Sequence, residues 1–180
     1  MRKIIAGLFM TLDGVVEAPE KWNPPYYDDE MGQAVMPQLA AAGTHLYGRR
    51  SYELFRSVFT GPAAPPHAEM MTSMPKVVVS TTLDRAGWGP TTVISRDVTA
   101  ALARLKQQPG QDISVGASGT LVRFLLQEGL LDELSLLVHP VVAGTGQHLF
   151  EGGAGTVPLR LLESRPHSNG VVALRYAGTA

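Results

Sequence analysis

The chain has 180 residues, a formal net charge of -1 and no cysteine. This length supports a single domain with a real core, and the near-neutral charge argues against a general electrostatic grip on nucleic acid, which shows as a strongly basic face. The lack of cysteine excludes a disulfide framework, a thiolate nucleophile and a Cys-ligated metal, and it suits a cytoplasmic protein.

In chain order, MRKIIAGLFMTLDG opens with basic residues and an apolar run, but Asp13 follows at once and no small-residue cleavage site is evident. Residues 3–10 therefore read as a buried strand, not a signal peptide. No apolar run approaches the ~20 residues of a membrane helix, so no membrane is expected as a partner. A long loop follows at 11–25, containing Leu12-Asp13-Gly14-Val15-Val16. Residues 28–42 have helical character, although Pro37 should kink or split the helix. Thr44–Gly48 reads as a short strand and 49–59 as a helix, with a Pro-rich loop at 61–66 and a short helical piece near Ala68–Ser73. KVVVS (76–80) and TTVIS (91–95) read as strands separated by a loop through Gly87, Trp88 and Gly89. Asp97 is the expected N-cap of a helix ending near Gln108, stopped by Pro109-Gly110.

Residues 112–126, DISVGASGTLVRFLL, join a strand through a glycine turn to an amphipathic helix. Ile113 and Val115 belong to the strand. From Thr120 onward, Leu121, Val122, Leu125 and Leu126 fall on one helical face. Helix N-termini leave N–H groups unpaired and carry partial positive charge, so Gly116-Ala117-Ser118-Gly119 can seat a pyrophosphate. A plain turn that uses glycine only for backbone freedom explains the motif as well. ELSLLVHPVV (133–142) is a near-continuous apolar strand leading into a glycine loop at 144–155, and strands at 158–164 and 171–176 flank Ser168-Asn169-Gly170 as a hairpin. Alternating strands and helices predict a mainly parallel sheet covered on both faces, and the closing pair predicts an antiparallel edge.

The segments TLDGVVEAPEKW, YGRRSYE, MPKVVVSTTL, DISVGASGTLVRFLL and DELSLLVHPVVAGTGQHLF, in this order over nearly the whole chain, resemble the dihydrofolate reductase-like family. The resemblance is to its branch similar to the reductase domain of bacterial riboflavin biosynthesis. It implies a three-layer α/β/α fold with a mixed, mostly parallel sheet and antiparallel C-terminal strands. It also implies NADPH as hydride donor, a small-molecule heterocyclic substrate of pterin-like or pyrimidine-like type, and a homodimer to which residues 134–142 contribute. The leading substrate is of the 5-amino-6-(phosphoribosylamino)uracil type, with dihydrofolate second; a non-catalytic nucleotide-binding module is the alternative from another class.

Residue by residue, the resemblance places the 2′-phosphate side of NADPH at the helix start Gly48-Arg49-Arg50-Ser51. Two arginines there oppose the helix dipole unless an anion offsets them, which favours phosphate binding over a pair of solvated surface arginines. Ser80, Thr81 and Thr82 end a strand where open α/β sheets place ligands, and a turn cap explains them nearly as well. The pyrophosphate falls to Gly116, Ala117, Ser118, Gly119, Thr120 and Leu121, with Ala117 standing where many relatives carry an adjacent glycine. Leu12, Gly14 and Val15 would lie over the nicotinamide. Asp13 could donate a proton if burial raised its pKa. Trp22 and Tyr26 could stack on a planar ring, and Asp28 invites comparison with a substrate-binding carboxylate, although acids in a first helical turn favour the dipole anyway. A nucleophile elbow would need glycine at Thr120. The histidines show no metal-ligand pairing, so no metal is expected. H-x-E and P-C-x-x-C are absent, so any deamination occurs elsewhere.

Overall fold

In the computed structural model, which describes residues 1–83, 85–151 and 155–178, β1 (Ile4–Thr11) leads through two single 3-10 turns to α1 (Asp29–Ala41), β2 (Thr44–Gly48), α2 (Arg49–Thr60) and α3 (Ala68–Ser73). There follow β3 (Lys76–Val79), β4 (Thr91–Ile94), α4 (Val98–Gln107), β5 (Ile113–Gly116), α5 (Gly119–Gln127), β6 (Glu133–His139), β7 (Leu159–Pro166) and β8 (Val172–Gly178). The strands form one eight-stranded sheet in the order β4-β3-β2-β5-β1-β6-β8-β7. Pairings from β4 to β6 are parallel, while β6–β8 and β7–β8 are antiparallel. This is the expected mixed three-layer α/β/α fold of dihydrofolate reductase-like type.

Strand alternation separates the two faces. In β1, Ile4, Ala6 and Leu8 point into the larger core, which is closed by Leu102 of α4 and by Leu121, Val122 and Leu125 of α5. Each of the Ile, Leu and Val side chains among these, when fully buried, stabilises the fold by about 1.5–3 kcal/mol. A smaller aromatic core on the opposite face joins Tyr47, Tyr52, Phe59 and Trp88 with Met71 and Val78. Helix α1 covers the rest of that face, yet Met31 is its single buried residue.

Several local expectations are corrected. Helix α1 runs through Pro37 without being split; the carbonyl that loses its partner belongs to Gln33, on an exposed residue where water can serve it. Asp97 does occupy an N-cap position, but its backbone is left-handed (φ 47°) and its side chain caps nothing. β6 stops at His139 because Pro140 cannot donate to a ladder. It is bonded on both sides, so it offers no edge for pairing with a second chain. Part of the glycine loop expected at 144–155, residues 152–154, lies outside the described residues.

Candidate active site

The parallel strands bring their C-terminal ends to one edge of the sheet. There α2 follows β2 directly, α5 follows β5 after a two-residue turn, and neither N-cap residue, Gly48 or Ser118, makes a side-chain capping bond. The first-turn N–H groups of both helices are thus left for another acceptor. The two helix starts are tied together: Ser51 Oγ donates to Ala117 O at 2.8 Å, and a Cβ on Gly48 would come within 2.8 Å of Ser118 Oγ. Glycine is therefore needed at position 48 for this close approach. The left-handed residue of the turn is Ala117 (φ 49°). Gly119 is helical, and its missing side chain makes room for Val16, whose Cγ2 would lie 3.0 Å from an added Cβ. Leu121 is buried in the main core and faces away from the turn's open side, whereas Thr120 is exposed.

The two arginines part company. Arg49 donates from Nε to Glu53 at 2.8 Å and from its guanidinium to Thr82 Oγ1 at 2.8 Å, so Glu53 already offsets its position at the helix start. Arg50 is exposed and makes no hydrogen bond or ion pair with the described residues. Ser80 Oγ accepts from the backbone N–H of Thr82 and Leu83 at 3.1 and 3.0 Å, which makes it a turn cap. Thr81 is exposed beside it.

The loop after β1 lies against the same edge. Asp13 accepts from Thr11 Oγ1 at 2.6 Å and from the backbone N–H of Ala143 and Gly144 at 3.1 and 2.8 Å. These donors pull its pKa down to about 2, with Thr11 first. These contacts hold the carboxyl ionised in the free protein and make Asp13 a clamp between two loops, not the buried, raised-pKa acid that proton donation calls for. Gly14 takes the left-handed φ of 89° that the turn requires. Val15 is buried against the loop carrying Gly146 and His148, so the following Val16 is the residue that reaches the groove. Leu12 is 68% exposed.

Between α1 and the sheet runs a groove of about 660 Å³, within the range of small-molecule sites. Phe9, Val16, Tyr27, Gln38 and Tyr47 are among its lining residues, as are Gly116 and Ala117 of the turn that leads into α5. Of the expected substrate contacts, Trp22 and Tyr26 instead pack their rings against His139, 5.0 and 5.7 Å between centroids. That imidazole is fully buried, with its Nε2 2.8 Å from Asn23 Oδ1 and its pKa lowered by burial. Asp28 caps α1 by accepting from the N–H of Met31 and also accepts from Asn169 Nδ2 at 3.0 Å. These three residues hold the loop and helix that border the groove and do not line it. The groove's strand-borne polar residues, Ser114 of β5 and Ser135 of β6, carry no motif, because they meet only through a register that a linear reading does not reveal. The one available signal was Gly7, a glycine inside an otherwise apolar strand. Among the described residues no cluster could hold a metal ion, and no helix is long and apolar enough to cross a membrane.

Comparison with known proteins agrees with this geometry. The family model described as RibD C-terminal domain matches residues 2–173. The uncharacterized protein YyaP of Bacillus subtilis (strain 168) is 30% identical over 182 aligned positions, covering 97% of this chain and 94% of its own. Among solved structures, a putative riboflavin biosynthesis protein from Shewanella sp. PV-4 superposes with a TM-score of 0.77 at 18% identity, covering 99% of both chains. Dihydrofolate reductase from Enterococcus faecalis, solved with NADP(H), gives 0.65 at 14% identity, covering 99% of this chain and 97% of that one. The likeness of these structures extends the fold across both branches, and the match over residues 2–173 shows that the chain belongs to the RibD C-terminal domain family.

Proposed function

We propose that the protein is an NADPH-dependent reductase acting on a small heterocyclic substrate. The observation that carries this reading is the pair of joined, uncapped helix starts at Gly48 and Ser118, opening beside an apolar groove. A Cβ would close the cradle between them, which is the fit expected for a pyrophosphate approaching backbone N–H groups. When bound, NADPH supplies the hydride for a C=N or C=O carbon. Gly48, Ser51, Ser118 and Gly119 would hold the pyrophosphate side, with Arg50 free to meet the 2′-phosphate. Val16 and Gly14 would border the nicotinamide side, and Asp13 fixes their loop. Helix α1, the sheet and Tyr27 exclude water from the reacting ring.

Within this reading the relatives favour a ribosylamino-pyrimidine of the riboflavin pathway, with a dihydrofolate-like ring second. Loss of nicotinamide absorbance when either substrate is added with NADPH is the expected result. Saturable NADPH binding without oxidation by any candidate would favour the nucleotide-binding module instead. A homodimer belongs to the same proposal. Its contact would use exposed Leu12 and Val142, which neighbour each other through the Leu12 N–H to Val141 O bond of 2.8 Å. Light scattering should then give twice the monomer mass, falling to monomer in Leu12→Asp, Val142→Asp; monomer mass for the parent protein at micromolar concentration would reject it.

A further inference from the structure

Reduction of a C=N or C=O bond consumes a proton as well as a hydride, and the clamp formed by Asp13 leaves that proton without a source. The groove that borders the turn into α5 carries several titratable groups. Its carboxylates are engaged: Glu133 takes Lys3 at 2.8 Å, Glu163 takes Arg175 at 3.5 Å, and Asp112 accepts the Lys3 N–H at 2.8 Å. Burial raises the pKa of the Tyr47 phenol, which therefore holds its proton far above neutral pH. A half-exposed phenol such as that of Tyr27 ordinarily releases its proton only near about pH 10. Two histidines also line the groove, His67 and His167, and imidazole is the side chain that ordinarily changes charge between about pH 5 and pH 8. His67 turns its ring against Phe59, 5.4 Å between centroids, whereas His167 faces a carboxylate.

His167 sits at the edge of the sheet where the parallel strands end. β8 runs antiparallel to β6 with Val172 opposite Val138, so the β7–β8 turn lies beside the C-terminal ends of β6 and β1. The turn fixes the residue by its backbone: its N–H donates to Val171 O at 2.8 Å, and its carbonyl accepts from the Gly170 N–H at 3.1 Å. The side chain is only 1% exposed. Among the described residues, the buried side-chain nitrogens without a hydrogen-bond partner are His167 Nδ1 and His45 Nδ1. His45 is not a groove residue, and its Nε2 lies 3.2 Å from Met74 Sδ. A buried polar atom left unpaired is rare in a folded protein and calls for a role beyond packing.

What His167 Nδ1 faces is the carboxylate of Glu30, 4.0 Å away at the start of α1. Arg165 Nη2, the Ser168 N–H and the Ser168 hydroxyl each donate to that carboxylate at 3.0 Å. They hold it ionised, the Ser168 N–H contributing most to the lowering of its pKa. Glu30 and Arg165 are thus the charged groups that meet the turn from α1 and β7. Asp28 is turned to Met31 and Asn169, and His139 at the end of β6 is bonded to Asn23. An anion on the Nδ1 side favours a proton on that nitrogen in the neutral ring and stabilises the imidazolium, which leaves Nε2 as the atom that gives up its proton. The 4.0 Å gap exceeds a hydrogen bond in the free protein, and catalytic pairs of this kind commonly tighten only when substrate is bound.

We infer that His167 is the proton donor of the reaction, with Glu30 as the residue that positions its ring and stabilises its charged form. This rests on the reading of the protein as an NADPH-dependent reductase. When the carbon of the C=N or C=O bond accepts a hydride from NADPH, which is oxidised to NADP⁺, the π electron pair moves onto the nitrogen or oxygen. The imidazolium Nε2–H bond then breaks to give that atom its proton. The neutral ring regains a proton from water before the next turnover.

The test has a spectroscopic and a kinetic arm, both on the full chain. By nuclear magnetic resonance, the His167 ring signals, assigned by their loss in His167→Gln, should show the Nδ1–H tautomer in the neutral form. Their titration midpoint should move to lower pH in Glu30→Gln. The kinetic arm follows nicotinamide absorbance with 5-amino-6-(phosphoribosylamino)uracil and with dihydrofolate. His167→Gln should lower kcat by at least about a hundredfold, the scale of general acid catalysis, while KM and NADPH affinity stay within a few-fold. The parent's kcat should fall as pH rises through the imidazole range. That limb should vanish in His167→Gln and shift to lower pH in Glu30→Gln, a change that a merely structural Glu30 would not produce. Circular dichroism checks folding, and if His167→Gln does not fold, the limb shift in Glu30→Gln decides. An unchanged limb in either folded variant overturns the inference, as does a midpoint indifferent to Glu30→Gln. Those results leave the reductase standing wherever the parent oxidises NADPH. A parent that oxidises no NADPH with either substrate removes the reductase and the donor role together.

Discussion

Asp13 has a place that the residues reveal and a set of partners that they do not. Its position in the loop after β1 was legible, because Leu12-Asp13-Gly14 interrupts two apolar runs. Its chemistry was not, because the donors that hold it come from Thr11 nearby and from Ala143 and Gly144 about 130 residues away. The sign of the linkage follows from the shift. With a folded pKa of about 2 against 3.8 for the ordinary carboxyl, Asp13 stabilises the fold fully above the ordinary value, and that contribution is lost as pH falls through the folded one. Urea denaturation should therefore find Asp13→Asn less stable than the parent protein at neutral pH, with the gap closing as the pH is lowered from about 4 to about 2. The same substitution should leave the shape of the activity profile between about pH 5 and pH 9 unchanged, since the group titrates below that window. A limb of the profile that disappears in the variant would restore the proton-donor role.

At the scale of elements, the helix start after β2 was legible down to its first residue, and the pairing of its charges was not. Gly48-Arg49-Arg50 announces a helix with cations at its positive end, which suggests an anion. The structure supplies part of the answer internally, because Glu53 one turn later sits 2.8 Å from Arg49. That partner was visible as an i, i+4 spacing. Arg50 is left as the cation without a partner among the described residues. We therefore expect Arg50→Ala to account for most of the preference for NADPH over NADH. Losing one charge-assisted contact, about 1.5–3 kcal/mol, should weaken NADPH roughly tenfold or more while NADH changes little. Arg49→Ala should cost less, because removing it also frees Glu53 and Thr82. Equal losses for both cofactors in Arg50→Ala would place this arginine in the fold or at the common pyrophosphate. The glycine turn before α5 carries a parallel lesson: the motif was read as a unit, but the strained position is Ala117 and the packing position is Gly119. Backbone dihedrals and the approach of Val16 distinguish them, and neither is written in four small residues.

For the whole molecule, the two faces of the sheet are built to different standards. Periodicity alone identified α5 as a core helix, and the structure buries Leu121, Val122 and Leu125 from it. Periodicity also identified α1, but not that it would bury Met31 alone and stand off the sheet above a groove. A shortfall of that kind comes from register, since Gly7, Gly116 and Ser135 become neighbours only when β5, β1 and β6 align. The energetic consequence is unequal local stability, because a helix with few buried apolar contacts opens at lower free energy than one sealed into the core. Amides in 34–41 should therefore exchange with solvent at least about tenfold faster than those in 121–127. Binding of a small molecule in the groove should slow the α1 amides selectively, because the ligand fills the space that the helix leaves and adds contacts absent from the free protein. Exchange measured by mass spectrometry decides the matter: α1 protected as strongly as α5 without ligand would mean that the helix is held by contacts other than a packed core, and the groove would then be a fixed wall. Protection gained equally by both helices would instead make ligand binding a global stabilisation with no special role for α1.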